Sequence, residues 1–180
     1  DGMIIWSARP QRGPLAPLGN YQVKIRVGAV QKTETFEIKI DPNLEEITPS
    51  DLQLQFDLAI QIRNQTSSAN EAVIQIRSLR NQLEALMKHQ ELSALNTSVQ
   101  EIIEKTRGIE ETLYQVKNQS NQDPLNFPIK LNNRLASLRR SVENGQARPT
   151  DAAYVVFDEL KGALTQLLTQ LDTLLSEDLN

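Results

Sequence analysis

The sequence predicts a mainly α protein, an up-and-down bundle of about four helices preceded by a small antiparallel β-hairpin. One helix is expected to be long, and one short with an extended leg. Three observations carry this. From Thr48 onward, apolar residues recur mostly at spacings of three and four, the period of a helix face. Before Asp41, two short segments alternate apolar and polar residues on either side of Gly28-Ala29, the pattern of a hairpin. Finally, 39% of the 180 residues are hydrophobic but only 4% aromatic, so the core must be aliphatic. The expected division is a β part over 1–42 and a helical bundle over 43–180.

In the β part, "MIIW" is compatible with a short strand, and "RPQRGPLAPLGN" is a loop punctuated by Pro and Gly. "YQVKIRV" places Tyr21, Val23, Ile25 and Val27 on one face and Gln22, Lys24 and Arg26 on the other. "TETFEIKI" alternates again. A lone hairpin is marginal in water, so this one needs a surface to rest on.

Helix signals begin at Thr48-Pro49-Ser50-Asp51: a hydroxyl cap, Pro at the first helical position and an acid in the first turn. Ser50 with Gln53 offers an alternative capping box. In "DLQLQFDLAIQI" every even position from Leu52 to Ile62 is apolar, which by period alone reads as a strand. The cap, the Leu/Gln/Ala content and the absence of a breaker before Met87 favour a helix. Leu54, Leu58 and Ile62 then lie on one side and Leu52, Phe56 and Ile60 nearly opposite. The first set is expected in the bundle seam. The second is expected to face the hairpin, against Tyr21, Val23, Ile25 and Val27 or the matching face of 33–40.

A second helix carries Leu92, Leu95, Val99, Ile102, Thr106, Ile109, Leu113 and Val116 in an unbroken 3-4-3-4 spacing, the seam of a bundle or coiled coil. Pro128 suits the first turn of a third, shorter helix with Leu131, Leu135, Leu138 and Val142, which Gly145 can close. Thr150 is a candidate cap for the last helix. There Ala153, Val156, Leu160, Ala163, Leu167, Leu171 and Leu174 are expected inward, with Phe157, Leu164, Leu168 and Leu175 widening the stripe. At about 1.5 Å per residue the first helix reaches about 60 Å, the second and last about 40 Å and the third about 24 Å. An extended linker from Asn118 to Phe127 would add about 30 Å and complete the third leg. The first helix is expected to overshoot its partners at its doubly apolar start.

Several function classes find no support in the residues. The net charge of −4 is spread along the chain without a basic patch, so no nucleic acid is expected as partner. Absence of cysteine excludes disulfides and thiolate sites. No apolar run reaches the length of a membrane span, so no membrane insertion is expected. His89, the single histidine, reads as a solvated surface residue, and no metal, cofactor or catalytic residue is assigned. Glu45/Glu46, Glu110/Glu111, Asp158/Glu159 and Glu177/Asp178 are sequence neighbours that do not share a helix face, so they read as solvated charges rather than paired acid and base. Gly108 and Gly162, single glycines inside helix patterns, suggest close helix contacts. Asp1 follows no basic or apolar leader, the look of material excised from a longer chain.

The segment between the second and third helices, "YQVKNQSNQDPLNFPIKLNNRL", is dense in Asn and Gln and carries two prolines. Asn118, Asn121, Asp123 and Asn126 are candidates for contact with a sugar or a partner. The favoured reading is a joint, in which short polar side chains satisfy the backbone of a non-helical leg.

"LYQVKNQSNQDPLNFPIKLNNRLASL" with "PTDAAYVVFDEL" resembles the C-terminal region of large bacterial proteins with sortilin-like Asp-box β-propellers, often labelled glycosyl hydrolases. "PLGNYQVKIRVGAVQKTETFEIKIDPN" resembles the hairpin and following strand that close their immunoglobulin-like module. The resemblance covers nearly the whole chain and implies that the propeller, with any catalytic groups, lies upstream. No catalytic residue carries over. It implies a non-catalytic accessory region, structural or partner-binding, whose β part is a remnant of the immunoglobulin-like module. The upstream propeller of the same parent would be its partner, in an extracytoplasmic location, periplasmic or secreted. The alternative is a self-association module of coiled-coil type forming a homo-oligomer.

Overall fold

The computed structural model describes residues 2–6, 12–88 and 96–178. The chain is mainly helical, a bundle of four α-helices with a two-stranded antiparallel hairpin before it. The hairpin pairs β1 (Gly19–Val27) with β2 (Val30–Ile38). It turns at Gly28, whose φ of +58 lies in the left-handed region that glycine adopts without strain. The register sets Tyr21 against Phe36 and Val27 against Val30, so one face carries all the large apolar residues of both strands. The rings of Tyr21 and Phe36 stack at 5.7 Å.

The alternating stretch is helical, as expected: α1 runs Pro49–Leu86. Thr48 caps it in a full capping box, its hydroxyl accepting from the Asp51 N–H at 3.2 Å and the Asp51 carboxylate accepting from the Thr48 N–H at 3.0 Å. Leu58 and Ile62 are buried in the seam, whereas Leu54 is half-buried. Then follow α2 (Asn96–Leu113), a 3-10 turn (Asp123–Leu125), α3 (Leu131–Val142), α4 (Asp151–Thr173) and a closing π-helical turn (Leu174–Asp178). Thr150 caps α4 through the Ala153 N–H, as expected. The third helix begins later than Pro128 implied. Residues 128–130 precede it, and Lys130 is extended at φ −105, ψ −174. Gly145, at φ +100, lies just beyond its end.

The joint does not reverse the chain. Glu110 of α2 pairs with Arg77 and Arg80 of α1, and Ile102 and Ile103 cluster with Leu83. Further along, Asn132 of α3 bonds Asn70 at 3.0 Å, and Gln55 reaches Val142. Contacts thus descend α1 from Leu83 to Gln55 as the chain ascends from 102 to 142. Accordingly α2 and α3 form one interrupted leg antiparallel to α1, and α4 returns beside both. The leg between them is folded as well, with turns closing Gln115–Asn118, Ser120–Asp123 and Asp123–Asn126. Hydrophobic spacing reports which face is buried but not whether a break continues or reverses the direction of travel.

The main core joins Leu58, Ile62, Val73 and Ile76 with Leu113, Leu135, Phe157 and Leu164. Ala59, Ala69 and Ala72 are small, fully covered positions that bring α1 close to its neighbours. In α2, Ile102, Thr106, Ile109 and Leu113 are buried as the seam predicted, but Val116 lies past the helix and is exposed. Leu92, Leu95 and His89 fall outside the described residues. In α4 the buried stripe is Phe157, Leu160, Leu164, Leu171 and Leu174. Val156 and Ala163, expected inward, face out. With so wide an apolar face, the bulkier set takes the core. A Cβ added at Gly108 or Gly162 would meet nothing within 4 Å, so neither marks a close helix contact.

The expected docking of the hairpin is met only in part, through Ile38 and Ile40 of the 33–40 stretch and not through the β1 face. Leu52 and Phe56 line a cleft of about 70 Å³ with Leu15–Leu18, Ile38 and Ile40, so only the foot of the hairpin and its leading loop touch the start of α1. Beyond that foot the apolar face is uncovered: Ile25 is 60% exposed, and Val27 and Val30 each 73%. The presumed overshoot is absent because α3 and its end cover the first turns of α1, as the contact from Gln55 to Val142 requires. The doubly apolar start is used up by α3 and the loop before β1.

Candidate functional site

The joint is held shut by a few side chains. Asp123 accepts from the backbone N–H groups of Gln119 at 2.5 Å and Ser120 at 2.7 Å, and from the Ser120 hydroxyl at 3.0 Å. These bonds, the Gln119 amide foremost, hold its carboxyl below the ordinary aspartate range. Gln115, buried, spans the joint by donating to the Pro128 carbonyl at 2.8 Å, while its amide oxygen accepts from the Lys117 N–H at 3.3 Å. The Lys117 ammonium stands 5.7 Å from the centre of the Phe127 ring. Pro124 and Pro128 bring no N–H of their own, so this leg cannot continue the helix.

One side of this joint receives another part of the chain. The Ile4 N–H donates to the Tyr114 hydroxyl at 3.0 Å, and the Asn118 amide donates weakly to the Ile4 carbonyl at 3.4 Å. Two residues on, the Trp6 N–H donates to Asn133 Oδ1 at 2.7 Å and the Trp6 carbonyl accepts from Asn133 Nδ2 at 3.1 Å. Asn133 is held in place by α3, where its Nδ2 also reaches Ser137 Oγ at 3.3 Å. The Met3 side chain packs against the main core. Tyr114 directly follows α2, Asn118 lies in the joint and Asn133 lies in the first turn of α3, so the break in the leg is what gathers them.

The sequence-predicted residues divide accordingly. Asp123 closes the joint and Asn118 touches residues 3–6. Asn121 and Asn126 are exposed, and among the described residues their side chains have no hydrogen-bond partner. Asn118 Oδ1 is buried and likewise unpaired. Sequence reasoning missed Asn133 and Tyr114. The signal available for Asn133 was an Asn pair, Asn132-Asn133, at the start of an apolar helix, where two polar residues in the first turn invite side-chain bonds to another segment.

A second polar cluster was also missed. Glu110, read as a solvated charge, is only 2% exposed and accepts from Arg77 Nε at 2.7 Å and from Arg80 Nη2. The Arg77 guanidinium lies 5.1 Å above the Tyr114 ring. The correction has a simple cause: Glu110 is four residues after Thr106 and three before Leu113, both fully buried, so it lies on the seam itself. Both carboxylate oxygens are engaged by cations and the group is buried, which makes it a bundle tie. Among the described residues, no group of three His, Cys, Asp or Glu side chains is placed to hold a metal ion, and no helix is long and apolar enough to cross a membrane.

No protein-family model, curated protein or solved structure matches the chain.

Proposed function

We propose that this chain is a non-catalytic accessory region, structural or partner-binding, of a larger exported β-propeller protein of the glycosyl hydrolase-like kind. In this reading the bundle is a base and the hairpin completes the sheet of an upstream immunoglobulin-like module of the same parent. The observation that carries it is the amphipathic hairpin. Tyr21, Val23, Ile25, Val27, Val30 and Phe36 share one face by register, interrupted on β2 by the paired Lys32 and Glu34, and the bundle leaves most of that face in solvent. Asn20, Gln22, Lys24 and Arg26 on β1 and Gln31, Thr33, Thr35 and Glu37 on β2 make the opposite face wholly polar. Such a pair of faces suits the outer layer of a sandwich, whose inner side rests on a second apolar sheet about 10 Å away. A two-stranded hairpin cannot build that core alone.

Self-association is the second reading. The seam of α2 and the stripe of α4 that suggested it are spent inside the bundle, which leaves the hairpin face as the surface that a second copy would use. The deciding experiment compares the isolated chain with the product of the parent reading frame. The isolated chain is expected to sediment as a monomer, to bind a hydrophobic dye at the hairpin and to turn over no glycoside. The longer product is expected to protect the β1 and β2 amides from exchange. A parent frame without an upstream β module, or glycoside turnover abolished by replacing one carboxylate, overturns the proposal. A concentration-dependent dimer that protects the hairpin establishes the second reading.

A further inference from the structure

We infer that Tyr114, Asn118 and Asn133 form a strand-receiving clamp that recognises main chain rather than side chains, with residues 3–6 as its resident occupant. The hydrogen bonds fall on Ile4 and Trp6 and skip Ile5. In an extended chain the N–H and C=O of alternate residues point to the same edge, so these bonds engage one whole edge of the segment. At each of the two residues both main-chain groups are engaged, as they would be by a neighbouring strand. Here the neighbour is built from a phenol and two amides mounted on helix ends. Asn133 is well suited, because a carboxamide offers a donor and an acceptor side by side, in the same arrangement as one residue of a β-ladder.

Of the segment's side chains Met3 reaches the main core, and Ile4 and Ile5 are half-buried. Met3 packs against the core, whereas Trp6 stays 43% exposed. The site therefore selects an extended peptide with an apolar residue at the position of Met3 and tolerates changes at position 6. The kind of partner it fits is an extended strand offering a free edge, and in this molecule the chain supplies its own. This tethers residues 3–6 to both sides of the break in the α2–α3 leg, so strand docking and joint geometry are coupled. The inference stands on these contacts alone and does not depend on the proposed parent protein.

The test is residue-resolved amide exchange on the full chain. The Ile4 and Trp6 amides are expected to be protected and the Ile5 amide to exchange as in a free peptide. Tyr114→Phe, which removes only the hydroxyl, should speed exchange at Ile4 while leaving Trp6 the slower of the two. Asn133→Ala should speed exchange at Trp6 by roughly tenfold, as losing a donor and an acceptor together implies. Trp6→Thr should leave protection at Ile4 within about twofold, since no hydrogen bond to the clamp comes from that side chain. Met3→Gly should release both. Equal protection at Ile4, Ile5 and Trp6, or protection lost in Trp6→Thr but kept in Asn133→Ala, would overturn main-chain recognition in favour of side-chain packing.

Discussion

Glu110 of α2 and Arg77 of α1 meet at 2.7 Å on the seam of the bundle, and Arg80 closes on the other oxygen of the same carboxylate. Removing one member of a covered ion cluster leaves the others desolvated without compensation. Glu110→Gln is therefore expected to cost about 3 kcal/mol, the low end for such sites because both arginines keep some solvent. Replacing all three by Leu and Met of similar volume should be close to neutral. Urea unfolding midpoints of the single and triple variants check this, and a triple variant as weak as the single one contradicts it.

A second buried polar group ties α1 to the end of α3. The Gln55 amide donates to the carbonyls of Val142 at 2.7 Å and Gly145 at 2.8 Å, which would otherwise end a helix unpaired. Gln55→Leu keeps the volume and strands both acceptors, so a loss of about 1–3 kcal/mol is expected. Gln55→Glu should lose at least as much, because a carboxylate there faces carbonyl oxygens. Thermal melts of the two variants separate lost hydrogen bonding from lost packing.

Gly108 and Gly162 lie in α2 and α4 with open space where a Cβ would stand. Alanine at either position is expected to stabilise the protein by about 0.5–1 kcal/mol through reduced freedom of the unfolded chain. Denaturation of the two single variants and the double variant checks the increments, which should add because the sites are on different helices.

Asp51 and Asp123 both titrate below the ordinary aspartate value of 3.8. The first is held down by the Thr48 hydroxyl and backbone N–H, the second by the amides of Gln119 and Ser120. Their folded values are depressed, so the stability they contribute is complete above the unfolded value and disappears as pH falls through the lower folded one. Asp51→Asn and Asp123→Asn should thus be weaker than the parent near neutral pH. The difference should shrink as pH falls below the ordinary aspartate value of 3.8. Melting temperatures across that range decide it.

The hairpin is expected to unfold apart from the bundle. Phe36→Ala removes the ring stacked on Tyr21 and should fray β1 and β2, a loss of about 1 kcal/mol within the hairpin. The cooperative melt of the helices should not move, since β1 and β2 touch the bundle only at their foot. Amide exchange in the strands, set beside the helical melt by circular dichroism, tests both halves.

The helical reading of 51–62 could be made from sequence because the cap at Thr48 and the lack of a breaker outweigh a two-residue alternation. That same alternation concealed Gln55, a polar residue in a polar position that is nonetheless buried by the end of α3. Glu110 was concealed in a similar way, since a charge on a seam looks like a charge beside one until its arginine partners are brought up by α1. The apolar face of β1 was legible, but the second strand was read as 33–40 where β2 runs Val30–Ile38, and what would cover the face was not legible, because an apolar face does not name its neighbour. At the joint, local capping by Asp123 could be inferred from short-range chemistry. The grip of Asn133 on Trp6 could not, since it joins residues 127 apart in sequence.

The clamp also sets how the molecule responds to tension. A pull transmitted through Met3 meets the four hydrogen bonds at Ile4 and Trp6, and these part in succession as the segment peels. Next in line are the bonds of Arg12 to Arg139 and of Leu15 to Glu143, and after them the hairpin. Only then does force reach α1 and the arginines around Glu110. The N-terminal quarter is thus an extensible leader that yields at low force and re-forms when slack returns, while the helices keep their arrangement. In an optical trap this ordering would appear as an early, short and reversible lengthening well before the bundle gives way.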